Sequence, residues 1–117
     1  LDAAKNQMTV LVWHYHDDDV VGPVAAIELK VAGLPAGIAE TRLAHYRVDA
    51  RHSNPYEVWK TLGSPTAPTR PQYAQMEAAA KLGGLNGAPA TAAVADGVAT
   101  LSFTLPRQGV SLLVLSW

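Results

Sequence analysis

From Ala25 to Val31 the apolar residues occupy every second position. Ala25, Ile27, Leu29 and Val31 fall on one face, and Glu28 and Lys30 on the other. Successive strand side chains point to opposite faces, so this segment reads as a half-buried antiparallel strand with one wet face. The same period returns near the end, where Ala99, Leu101, Phe103 and Leu105 oppose Val98, Thr100, Ser102 and Thr104. Two further runs are apolar on both faces: Thr9-Val10-Leu11-Val12-Trp13-His14-Tyr15 and residues 110–117. Such runs predict central strands covered on both sides, with Trp13 and Trp117 in the core. Residues 41–48 add a strand of weaker alternation, and Asp96-Gly97 predicts a tight hairpin between 91–95 and 98–105.

Two helices interrupt the strands in one excursion. Asn54-Pro55-Tyr56-Glu57 carries an N-cap, a proline at the first helical position and a glutamate placed to close a capping box. Tyr56 and Trp59 then share a face, and Gly63 ends the helix. Thr69 with Gln72 repeats the capping pattern. That helix is expected to run to about Leu82, with Tyr73, Met76 and Ala80 as its apolar stripe and Gly83-Gly84 as its stop. Strands at this spacing without alternating helices predict a mainly β fold, an antiparallel β-sandwich with two short helices in one inter-strand excursion.

The chain has 117 residues, 49% hydrophobic and 16% charged, enough for one domain with its own core. It is too short for a (β/α)₈ barrel, which needs about 250 residues. Its net charge of −1 offers no footprint for nucleic acid or an acidic membrane surface. Cysteine is absent, which removes disulfides, thiolate metal sites and a cysteine nucleophile. No apolar run is long enough to span a membrane as a helix. The start, Leu1-Asp2-Ala3-Ala4-Lys5, reads as a cut inside a longer polypeptide.

His14-Tyr15-His16-Asp17-Asp18-Asp19 is the densest cluster of chemistry-bearing groups. His14 and His16 point the same way on a strand, and with Asp18 could form the metal site of a small hydrolase. The competing reading is a strand end whose polar groups meet water and cap a turn. Neighbouring aspartates do not by themselves make the separated carboxyl pair of a glycosidase. His45 and His52-Ser53-Asn54 invite a Ser–His dyad, but no nucleophile elbow accompanies them. Trp59, Tyr56 and Tyr73 are the aromatics best placed to stack on a sugar. No metal site or cofactor is assigned.

Several blocks in one order resemble glycoside hydrolase family 39 β-xylosidases. They are residues 10–20 (Val-Leu-Val-Trp-His-Tyr-His-Asp-Asp-Asp-Val) and His45-Tyr46-Arg47-Val48-Asp49. His52-Ser53-Asn54-Pro55-Tyr56 with Trp59, Gly63-Ser64-Pro65, Pro68-Thr69 and Gln72-Tyr73 follow. Leu105-Pro106-Arg107-Gln108-Gly109-Val110-Ser111-Leu112-Leu113 completes the set. The likeness spans residues 8–117, and the α-L-iduronidases of the same family are similar in outline.

The resemblance implies a single C-terminal accessory β-sandwich domain over residues 1–117, with an upstream strand missing and the catalytic barrel outside this chain. The barrel of such a retaining enzyme carries two glutamates, and neither has a counterpart here, so no catalytic residue is assigned. The implied role is to pack against the (β/α)₈ barrel or to hold an oligomer in a xylan-degrading enzyme. The implied site is a barrel-facing or pocket-fringing loop of His16, Asp17, Asp18 and Asp19. A carbohydrate-binding module that takes a xylo-oligosaccharide on Trp59, Tyr56 and Tyr73 is the alternative. Compartment stays open between bacterial cytoplasm and periplasm.

Overall fold

The alternation becomes six antiparallel strands. The computed structural model describes residues 1–18 and 20–117. In chain order they form β1 (Gln7–Trp13), β2 (Ala25–Ala32), β3 (Glu40–Val48), α1 (Pro55–Thr61), α2 (Arg70–Ala80), β4 (Thr91–Ala95), β5 (Val98–Leu105) and β6 (Val110–Ser116). The order across the sheet is β1-β6-β3-β4-β5-β2. The fold is thus mainly β, as expected.

The expected two layers arise from one sheet that curls. Short β4 is the link, since it pairs with three residues of β3 and two of β5. Across it, Arg47 Nη2 donates to Thr104 O at 2.7 Å, and the rings of His45 and Phe103 lie 5.0 Å apart. Strands that are not sheet neighbours therefore face each other. Asp96 and Gly97 make the hairpin with φ of 51° and 73°, the left-handed backbone that a two-residue turn needs.

Strand register sorts the side chains into two faces. Inward go Met8, Leu115 and Leu43 in one row, and Val10, Leu113 and His45 in the next. They meet Val31, Ala92, Ala99 and Leu101 in the core. Outward go Leu11, Leu112 and Tyr46, followed by Trp13, Val110 and Val48.

Here two expectations fail. β6 is central, but β1 is an edge strand with β6 alone beside it. Trp13 is not a core residue: it is 64% exposed, and Leu11 is 54% exposed. Apolarity on both faces marked a strand with an apolar outer surface, not one already covered. Trp117 does pack against the core.

The helices pack on each other as an arm, and neither has a buried residue. Asn54 and Thr69 cap them, and the Thr69–Gln72 capping box forms. Glu57 instead reaches Lys60, at 2.8 Å. α2 stops at Ala80, before Leu82, and Lys81 is extended. Tyr73 and Ala80 are exposed, while Gln72, Met76 and Ala79 form the half-buried face. The radius of gyration is 17.4 Å, against about 13 Å for a compact chain near this size. Among the described residues no helix is long and apolar enough to cross a membrane.

Candidate functional site

β1 ends where its chain meets the turn between β5 and β6. His14 N donates to Gly109 O at 3.0 Å, and Gln108 N donates to His14 O at 2.8 Å. The turn is tight: a Cβ on Gly109 would lie 2.8 Å from Pro106 O. Gln108, with φ of 58°, aims its amide back at the loop. Its Nε2 donates to His16 O at 2.6 Å and Asp18 O at 2.7 Å. The Gln108 side chain thus pins the loop after β1 to the turn.

Within this frame the structure brings His14 and His16 together, with their Nε2 atoms 3.0 Å apart. His14 Nδ1 lies 3.2 Å from Leu105 O, so it carries the proton and leaves Nε2 as the acceptor. Asp18 does not join them, because its carboxylate pairs with the Arg107 guanidinium. Asp17 is exposed. Asp19 lies outside the described residues. Among the described residues no three His, Asp or Glu side chains gather to hold a metal, so the His14–His16–Asp18 hydrolase site is not assembled.

The candidate aromatics behave differently from one another. Tyr56 and Trp59 stack at 5.5 Å with planes 22° apart, and Lys60 Nζ sits 4.9 Å from the Tyr56 centroid. The Trp59 indole donates to Pro65 O at 3.0 Å. The stack occupies one face of each ring, and the indole N–H is already bonded. Tyr73 is exposed on α2.

A second polar group lies inside the sheet. His45 Nε2 is 2.9 Å from Ser111 Oγ, and Arg47 Nε donates to the same oxygen at 3.3 Å. Burial, and then the Arg47 charge, hold the His45 pKa below its ordinary value. Both His45 and Ser111 are buried, so the pair is a structural tie and not an accessible nucleophile. The sequence offers Ser53 as the serine of a dyad, whereas the structure gives His45 the Ser111 hydroxyl instead. The signal for Ser111 was a polar residue at an inward position of an otherwise apolar strand.

Next along β3, Asp49 closes a turn. Its Oδ1 accepts from Arg51 N at 2.7 Å, His52 N at 2.9 Å and His52 Nδ1 at 2.8 Å. Burial pushes the Asp49 pKa up, but these hydrogen bonds outweigh it and hold the carboxyl below its usual value. His52 therefore serves Asp49 and not Ser53. The turn borders a cleft of about 360 Å³ between β3 and the helical arm.

The family model for glycosyl hydrolases family 39 matches residues 2–94, and the chain belongs to that family. The fold is shared with a family 39 enzyme from Xanthomonas axonopodis pv. citri, at TM-score 0.77 and 19% identity over 99% of this chain. A monomeric β-xylosidase from Caulobacter crescentus CB15 matches at TM-score 0.69 and 17% identity over 95%. A bacterial orthologue of human α-L-iduronidase matches at 0.58 and 19% over 99%. The chain spans only 24%, 24% and 23% of those three structures. No curated protein sequence matches it.

Proposed function

We propose that this chain is the non-catalytic accessory domain of a family 39 β-xylosidase, seated on a catalytic (β/α)₈ barrel. The outer face of β1–β6–β3 carries the reading. Leu11, Leu112 and Tyr46 lie in one row, and Trp13, Val110 and Val48 in the next. Tyr15 extends the patch beyond the strand. A contiguous apolar surface of this kind marks an interaction site. The likeness to about a quarter of much longer enzymes supports a catalytic partner on the same polypeptide.

The glutamates also fit an accessory role. Glu28 stands on the wet face of β2 beside Lys30, and Glu57 on α1 beside Lys60. Glu40 opens β3 and Glu77 sits on α2, both exposed. The expected outcome is that the 117-residue chain does not hydrolyse an aryl β-xyloside above the buffer rate. Turnover abolished by replacing one of these glutamates would contradict the proposal. Amide shifts around Tyr56 and Trp59 on adding xylobiose would instead make the chain a sugar-binding module.

A further inference from the structure

We propose that His14 and His16 form a two-histidine chelate for a divalent metal of tetragonal preference, of the Cu²⁺ or Ni²⁺ kind. This goes beyond the accessory role and does not depend on it. The Nε2···Nε2 separation of 3.0 Å is the first observation. Two nitrogens about 2.0–2.1 Å from one metal lie about 2.8–3.0 Å apart at a right angle, but about 3.3 Å apart at a tetrahedral angle. The hydrogen bond between the rings thus already holds the two nitrogens at a separation close to that of neighbouring positions in a square, and a metal would replace that hydrogen bond.

Preorganisation is the second observation. Leu105 O takes the Nδ1 proton of His14, the outer contact that fixes tautomer and ring plane in metal-ligating histidines. The backbone on either side is held as well, with His14 tied to Gly109 and Gln108, and His16 tied to the Gln108 amide. In the metal-free pair His16 Nε2–H donates to His14 Nε2. Metal entry moves that proton to Nδ1 of the same His16 ring, so both rings stay neutral and each offers one lone pair. Both residues are half-buried.

The test is titration of the 117-residue chain with CuCl₂ and with NiCl₂, read by quenching of indole fluorescence, since Trp13 adjoins His14. One saturable site is expected for each metal. His14→Ala and His16→Ala each weaken it by about tenfold or more, and Gln108→Ala weakens it less. His52→Ala leaves it unchanged. Absence of saturation below millimolar metal overturns the chelate. So does a His14→Ala/His16→Ala chain that binds as tightly as the parent, which would place the metal elsewhere, such as at the terminal amine of Leu1. Circular dichroism of each variant separates lost ligands from lost fold.

Discussion

His45 Nε2 and Ser111 Oγ meet at 2.9 Å inside the sheet, and Arg47 Nε shares the same hydroxyl oxygen at 3.3 Å. The serine oxygen accepts from Arg47 and keeps a second lone pair and its own proton for the bond to His45 Nε2. Burial first and Arg47 second depress the His45 pKa. The unfolded chain therefore takes up this proton more readily than the folded one. The stability tied to His45 is fully present above the unfolded value, about 6.5. It is lost as pH falls through the lowered folded value. Urea unfolding midpoints are expected to drop between pH 7 and pH 5, and His45→Gln to flatten that drop. An equal slope in the variant would refute the assignment.

Ser111→Ala leaves the buried His45 without its Nε2 partner, while half-buried Arg47 keeps its bond to Thr104 O. Stranding buried polar groups costs about 1–3 kcal/mol. Leu113→Ala, one row away, opens a cavity and costs about 2–5 kcal/mol. Denaturant unfolding checks both, and a Ser111→Ala chain as stable as the parent would show that the tie carries no net stability.

Open pairing positions on β1 follow from its register. His14 N bonds to Gly109 O and Trp117 N to Asn6 O, so even-numbered residues of β1 face β6. Gln7 bonds back to Asp2, which leaves the N–H groups of Thr9, Leu11 and Trp13 directed at the unpaired edge. In the isolated chain these three amides are expected to exchange with deuterium at least about tenfold faster than those of Val10 and Val12. Uniform protection along β1 would mean that another strand already pairs there.

The loop after β1 separates two kinds of contact. Asp18 pairs with Arg107 from an exposed position, and such pairs are worth about 0–1 kcal/mol. Asp18→Ala is expected to leave the unfolding midpoint nearly unchanged. Gln108→Ala removes the amide that holds both His16 O and Asp18 O, and is expected to cost more. In an enzyme joined to its barrel, Asp18→Ala also tests the pocket-fringing role, through kcat and KM.

Strand periodicity, the Asp96-Gly97 turn and the Thr69–Gln72 capping box were legible because each is a local rule with a local cause. β2 reads correctly for the same reason, since Glu28 and Lys30 mark its wet face. The position of β1 was not legible. A strand between two layers and an edge strand with an apolar outer face have the same composition, so Leu11 and Trp13 could not tell them apart. The stripe on α2 slipped around the helix: Gln72, Met76 and Ala79 form its half-buried face, while Tyr73 and Ala80 stay exposed. For the site, adjacency suggested His14 and His16, and the structure joins them. Asp18 was lost to Arg107, 89 residues away, a pairing that no spacing announces.

Hydroxyl-radical footprinting of Trp13, Tyr15, Tyr46 and Leu112 tests the central claim most directly. It would compare the chain alone with the chain joined to its catalytic barrel. If the outer face of β1–β6–β3 is the docking surface, Trp13 and Leu112 lose most of their labelling in the joined enzyme, while Tyr73 on the helical arm serves as a reference. Equal labelling of Trp13 and Leu112 in both forms would mean that the barrel sits elsewhere and the apolar face has another use.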